Sequence, residues 1–215
     1  MYYPICLDVR NQTCLVVGGG RVAAGKAIAL AQAGAAVRVV APRVAQTLRE
    51  TPGITAEMRP YAPGDEAGAA LVFAATDDAS VNALVAARCR AAGVWCCVAD
   101  DPGAGDFVTP ATVRRGDLTV SVSTGGASPA LAKRLRRELE AQFPEAYAAY
   151  TAFLREMRER AAAEIADPAR RRAAAAELAS QAGFERFRAL DGAERRRWGA
   201  MVIARRRTER DEEAR

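Results

Sequence analysis

The stretch Thr13–Ala33, TCLVVGGGRVAAGKAIALAQA, decides the fold. Residues 13–17 form a short apolar run that ends in Gly18-Gly19-Gly20, and Arg21–Ala33 reads as a helix closed by Gly34. Strand, tight turn and helix in that order give the glycines a physical meaning. Gly18-Gly19-Gly20-Arg21-Val22-Ala23 fits GxGxxA: Gly18 permits the tight turn, Gly20 lets the backbone approach a pyrophosphate, and the small Ala23 lets the helix pack on the strand while its amino terminus faces the phosphates. A glycine-rich turn with no ligand is the plainer reading of the same six residues. The chain on either side favours the nucleotide.

Working outward, Ala36–Ala41 (AVRVVA) is a second apolar run that stops at Pro42, and a polar stretch containing Pro52, Pro60 and Pro63 follows it. A third run, Ala70–Ala75 (ALVFAA), is joined by the helical piece Ser80–Ala92 and Gly93 to a fourth, Val94–Ala99 (VWCCVA). Short apolar runs alternating with helices indicate βαβ units and a parallel sheet buried on both faces. The pattern changes after Phe107. Thr119–Ser123 (TVSVS) alternates as a half-buried strand does, and Ser128-Pro129 opens a helix, with serine at the N-cap and proline at the first helical position. From about Pro144 the chain is Ala, Arg and Glu without a strand-like run, interrupted at Asp167-Pro168, Gly183 and Asp191-Gly192, which predicts a bundle of short helices. The charged end RRRTERDEEAR is expected to be frayed or disordered. The fold class is therefore α/β: a Rossmann-type parallel sheet over 1–113, a small β+α region over 114–143 and a C-terminal helical domain over 144–215.

Composition narrows the functional classes. No run of about 18 apolar residues crosses a membrane and the first residues lack a basic segment ahead of an apolar one, so a cytoplasmic protein with no membrane partner is expected. The five cysteines, Cys6, Cys14, Cys89, Cys96 and Cys97, have no CxxC spacing and sit mostly in apolar runs, as buried reduced thiols do; no metal site is expected. With no histidine in the chain, any acid–base step falls to a carboxylate, Tyr, Cys or Lys. The net charge of +5 is almost wholly arginine, Lys26 and Lys133 being the only lysines. It suits a polyanionic small substrate as well as nucleic acid, but no nucleic-acid recognition motif accompanies it, and no nucleic-acid partner is expected.

Three further positions carry chemistry. The second apolar run ends VVAPR, without the acidic residue that holds a ribose 2′-hydroxyl about 20 residues beyond the glycines, while Arg43 offers either a 2′-phosphate contact or an ordinary surface arginine. Thr76-Asp77-Asp78 lies on the carboxyl edge of the sheet, where ligands of such folds bind, and also suits a cap for the next helix; both readings can hold. Backbone N–H groups around Thr124-Gly125-Gly126 and the helix start at Ser128 offer an anion site for substrate carboxylates, or only a turn and a cap. Lys133, Arg134, Arg136 and Arg137 follow, interleaved with Glu138 and Glu140 as on a solvated face.

Together these residues say more than the glycine turn does alone. YYPICLDVRNQTCLVVGGGRVAAGKAIAL, the AATDD loop, Cys97-Val-Ala-Asp100-Asp-Pro102 and VSVSTGGASPALAKRLRRELE resemble, in order over about the first 145 residues, the precorrin-2 dehydrogenase family, which includes the amino-terminal half of sirohaem synthase. The resemblance implies a homodimer with residues 114–143 as the dimerisation region, and a C-terminal helical domain that helps enclose the tetrapyrrole. It implies NAD as hydride acceptor, with cofactor contacts at Arg21, Val22, Pro42, Arg43 and the Thr76 loop. The family's important aspartate matches Asp100 rather than Asp101, which makes Asp100 the candidate acid–base residue. A carboxylate at the carboxyl end of a central strand suits that role, and a turn cap before Pro102 is the alternative. Some members of the family also insert iron or cobalt into sirohydrochlorin, and the resemblance does not separate the two types. No methyltransferase half, as in trifunctional sirohaem synthase, is expected after residue 145. A dinucleotide-sensing module without turnover is the competing class.

Overall fold

The computed structural model describes residues 2–208, so the expectation of a disordered end lies, for 209–215, outside the described residues. The contacts divide the chain into two compact units, one of residues 1–109 with 125–127, the other of 110–124 with 128–215. The first unit is a five-stranded, wholly parallel sheet. Its strands are β1 (Thr13–Val17), β2 (Ala36–Val40), β3 (Ile54–Glu57), β4 (Leu71–Ala74) and β5 (Trp95–Val98), ordered β3-β2-β1-β4-β5. Helices α1 (Arg21–Gln32), α2 (Gln46–Arg49) and α3 (Ala79–Ala92) make the connections.

Alternation along each strand explains why the apolar runs are continuous. Cys14 and Val16 of β1 pack on one face with Ala23 and Ala27 of α1, Val37, Val39 and Phe73. Leu15 and Val17 pack on the other with Val72, Ala74 and, from α3, Val85, Ala86 and Cys89. Successive side chains point to opposite faces, and here both faces are covered, so the strands at the centre of the sheet are apolar almost throughout, Arg38 of β2 being an exception. Chain order reverses between β1 and β4, which pair directly. That is the switch point at whose carboxyl end such sheets leave a crevice.

The second unit opens with a hairpin, β6 (Ala111–Arg115) and β7 (Leu118–Val122), in the register Arg115↔Leu118. Its two-residue turn is Gly116-Asp117, with Gly116 at φ 58 and Asp117 not left-handed, the glycine-first turn whose twist matches an antiparallel pair. Helix α4 (Pro129–Gln142) is capped by the Ser128 hydroxyl and follows Thr124–Ala127. Four helices complete the unit: α5 (Ala146–Glu164), α6 (Pro168–Leu178), α7 (Gln181–Ala189) and α8 (Gly192–Thr208). Their core is Tyr150, Phe153, Met157, Leu178, Phe184, Phe187, Trp198 and Ile203 with smaller neighbours.

Strands β3 and β6 and helix α2 were not expected, and two helices of the bundle are not short: α5 has 19 residues and α8 has 17. Gly183 does not interrupt a helix. It lies buried inside α7, where a Cβ would come within 2.4 Å of the Leu178 carbonyl oxygen. Close packing there requires the glycine. Residues 205–208, within the end expected to fray, continue α8.

Candidate functional site

The site is assembled at the carboxyl edge of the sheet from the segments that leave β1, β2, β4 and β5. After β1, Gly18 donates to the Val40 carbonyl at 2.9 Å and takes φ +128, and a Cβ on it would lie 2.3 Å from the Ala75 oxygen. A Cβ on Gly19 would lie 1.9 Å from the Arg43 oxygen. The turn is thus wedged between two backbone carbonyls, one from the segment after β4 and one from the segment after β2. That is how Gly18, Pro42, Arg43 and Thr76, distant in sequence, come together. Gly19 was missed as a required glycine, because its obstacle belongs to a loop 24 residues away, not to the local turn.

Gly20 differs from both. It has an extended conformation open to any residue (φ −81, ψ −176), and a Cβ there would meet nothing within 4 Å. The missing side chain leaves room above the start of α1. That helix has no side-chain cap and no acidic residue in its first turn. Its first internal bond runs from Ala24 to Gly20, so the N–H groups of Arg21, Val22 and Ala23 precede the ladder. Converging backbone donors, the positive end of the helix dipole and open space together fit a dinucleotide pyrophosphate. Ala23 is fully buried against the sheet, as the motif requires, whereas Arg21 and Val22 are exposed. Pro42 and Arg43 are also exposed, at the end of β2.

After β4, Thr76, Asp77 and Asp78 turn into α3. Asp78 is its N-cap, accepting from the N–H groups of Ser80 and Val81, and these bonds and that of the Ser80 hydroxyl hold its carboxyl below the usual range. Thr76 meets Asn82, which is 2% exposed. The Thr76 N–H donates to Asn82 Oδ1 at 3.1 Å, the Thr76 hydroxyl lies 2.8 Å from the same oxygen, and Asn82 Nδ2 donates to the Thr76 carbonyl at 3.2 Å. A second Nδ2 bond, at 3.0 Å, reaches Asp100 Oδ1 in the segment after β5. Asp100 is exposed, while its neighbour Asp101 accepts from Gly103 N–H within its own turn. Of the two aspartates, Asp101 therefore closes a local turn and Asp100 is held from across the edge. Asn82 was not among the candidates, since nothing local distinguishes an asparagine in the first turns of a helix.

In the second unit, the Thr124 hydroxyl accepts from Ser128 N–H at 3.1 Å and the Ser128 hydroxyl caps α4 through Leu131 N–H. Gly125 and Gly126 take φ 63 and 89, and added side chains would meet nothing within 4 Å. Among the described residues no group of three or more His, Cys, Asp or Glu side chains is placed to hold a metal ion, and no helix is long and apolar enough to cross a membrane.

Comparison with known proteins agrees with this geometry. Residues 5–111 match the family described as "Putative NAD(P)-binding", and residues 115–142 match "Sirohaem biosynthesis protein central". Siroheme synthase of Nitrosococcus oceani is 46% identical over 149 residues, covering 68% of this chain and 32% of the relative. That of Methylococcus capsulatus is 38% identical over 221 residues, covering 94% of this chain and 47% of the relative. The chain thus spans about a third to a half of the length of these relatives. The solved structure of SirC, precorrin-2 dehydrogenase, superposes with a TM-score of 0.75 at 27% identity, covering 94% of this chain and all of that one. NAD is the cofactor that the glycine motif supports. The chain resembles the siroheme synthase family, specifically its NAD-binding, precorrin-2 dehydrogenase module.

Proposed function

We propose that this protein oxidises precorrin-2 to sirohydrochlorin with NAD, as a step of tetrapyrrole biosynthesis. The single observation that carries the reading is the juxtaposition at one sheet edge of an uncapped helix start over open space and an exposed carboxylate, Asp100, fixed by a buried amide. The likeness to SirC over nearly the whole chain supports it.

The oxidation removes two hydrogens, one as a hydride and one as a proton that a base of the chain must take. NAD, when bound, supplies the hydride acceptor. Gly18, Gly20 and the N–H groups of Arg21, Val22 and Ala23 would hold its pyrophosphate, with Pro42, Arg43 and the Thr76–Asp78 loop bordering the rest. Asp100 takes the proton. Asp100, the position that the family resemblance marks, is the carboxylate we assign to it: the chain has no histidine, and Asn82 bonds Asp100 from across the sheet edge, whereas Asp78 and Asp101 are bonded within their own turns. Backbone donors of Thr124, Gly125 and Gly126, with Ser128, are assigned to the carboxylates of the substrate.

The reading includes a cytoplasmic homodimer without a nucleic-acid or membrane partner, with residues 1–113 binding the cofactor, 114–143 pairing two copies and 144–215 forming the helical domain. Helix α4 supports the pairing: Leu131, Leu135 and Leu139 lie at i, i+4 and i+8, yet it buries no residue within the chain. The test is anaerobic turnover of fresh precorrin-2 with NAD, following NADH and the sirohydrochlorin spectrum, for wild type and Asp100→Ala, with cobalt or iron added afterwards. NAD-dependent turnover, reduced about 100-fold or more in the variant, is expected. Tight NAD binding without turnover would instead make the protein a sensing module, and metal insertion after oxidation would add a chelatase activity.

A further inference from the structure

We infer that Asn82 is the positioning residue of this site, holding Asp100 in its working orientation relative to the cofactor loop; the inference rests on the dehydrogenase reading above. Asp100 lies two residues beyond β5 and is exposed, so its carboxylate has many orientations open to it unless something fixes one. Asn82 does so from a buried, rigid place in the first turns of α3. The orientation of its amide follows from chemistry. A backbone N–H can only donate, so the atom facing Thr76 N is the oxygen, and the nitrogen then faces Asp100. All three bonds to Thr76 and the bond to Asp100 issue from one side chain, and each of its two polar atoms is engaged.

The arrangement links two loops that leave neighbouring strands. β4 and β5 pair in parallel, with Ala74 opposite Val98, and the ladder continues through Ala99 N–H to the Ala74 carbonyl. Beyond that point Asn82 bonds to both segments, to Thr76 after β4 and to Asp100 after β5. Leucine would fill the space but leave the Thr76 N–H without its acceptor. Aspartate would keep the acceptor facing Thr76 while setting a carboxylate against that of Asp100. The two functions of the amide can thus be separated by substitution.

The test is a double-mutant cycle on the intact protein, with Asn82→Asp and Asp100→Ala singly and together. Each variant is read for NADH affinity, for kcat and KM with precorrin-2, and for the Asn82 side-chain amide signal in the wild type and Asp100→Ala. In Asn82→Asp, NADH affinity is expected to stay within about threefold of wild type, because an oxygen still accepts from the Thr76 N–H and hydroxyl and only the longer bond to the Thr76 carbonyl is lost, while kcat falls about 10- to 100-fold, the loss typical of a displaced catalytic group. In the Asp100→Ala background the same substitution should change kcat less than about twofold, since Asn82 acts through Asp100. The amide signal should shift in Asp100→Ala. Equal losses in both backgrounds, or an amide signal indifferent to Asp100, overturn the assignment to Asn82 while leaving the dehydrogenase intact. A wild type that binds NADH but does not oxidise precorrin-2 overturns the dehydrogenase reading and this role with it. Should Asn82→Asp fold poorly, judged by lost NADH binding, Asn82→Ser carries the same cycle.

Discussion

Adding one methyl group at Gly20 separates folding from cofactor binding. Its backbone conformation is open to alanine, and the new Cβ would touch nothing within 4 Å. Two small effects on stability oppose each other: alanine restricts the unfolded chain, worth about 0.4–1 kcal/mol, and is a poorer N-cap than glycine by a similar amount. The net change should lie within about 1 kcal/mol, and the unfolding midpoint within about 3 °C of wild type. The methyl would nevertheless occupy the space above the first turn of α1, where, on the proposed reading, phosphate oxygens approach the N–H groups of Arg21, Val22 and Ala23. Losing one charge-assisted hydrogen bond costs about 1.5–3 kcal/mol, or about 10- to 150-fold in affinity.

Gly19→Ala is the control with the opposite signature. Its Cβ would fall 1.9 Å from the Arg43 carbonyl oxygen and 3.2 Å from the Ala41 Cβ, and the obstacle is backbone. The segments after β1 and β2 must part, at about 1–3 kcal/mol of stability. Titration of NADH fluorescence with thermal unfolding on both variants decides the matter. A Gly20→Ala protein that binds NADH like wild type, or one that loses stability as Gly19→Ala does, would refute the placement of the pyrophosphate.

Four further outcomes are expected. Asp65 is held below the usual carboxylate range by Arg59; burial raises Glu66, but hydrogen bonds from Tyr61, Gly64 N–H and Arg88 outweigh it and the net shift is downward. Their contribution to stability is complete above the unfolded-state value of about 4 and is lost as pH falls through the lower folded values, so urea midpoints should drop below about pH 4 and drop less in Asp65→Asn. Of the five thiols only Cys6 is exposed, and burial pushes those of Cys14 and Cys97 up, so a thiol reagent should label one cysteine rapidly in the native protein and five in denaturant. Trp198→Ala removes a buried ring stacked on Phe153 at 5.6 Å and should cost the helical unit about 3–5 kcal/mol in urea unfolding. NAD should bind less than about 100-fold more tightly than NADP, because the end of β2 presents the exposed Arg43 in place of an acidic residue; Arg43→Glu should widen the preference, as paired binding titrations would show.

The sequence was most legible where structure depends on neighbours in the chain. Strands β1, β2, β4 and β5 appear as apolar runs because each is buried on both faces, and their ends fall within a residue or two of Gly18, Pro42, Thr76 and Asp100. Ser128-Pro129 and Asp167-Pro168 announce α4 and α6 through capping chemistry that is local by nature. Strand β3 gave no such signal. It is an edge strand of four residues, ITAE, whose partial burial leaves neither an apolar run nor a long alternation, and it is recruited by pairing with β2. Strand β6 was hidden for a related reason: ATVRR buries only Val113 fully, and the Gly116-Asp117 turn that pairs it with β7 is a weaker signal than Asn-Gly.

The site divides along the same line. Gly18, Gly20 and Ala23 form a motif because one turn and one helix start impose their spacing, so six consecutive residues suffice to read them. Gly19 and Asn82 answer to partners 24 and 18 residues away, and those distances are set by how the loops after β2 and β5 leave the sheet. A glycine excluded by a distant carbonyl looks like any other glycine in a run of three, and an asparagine that joins two loops looks like a polar residue on a helix. What the sequence withholds is therefore less the chemistry of the site than the parts that hold it still: the groups expected to meet cofactor and substrate come from recognisable local patterns, whereas those that fix their geometry are defined by tertiary contact.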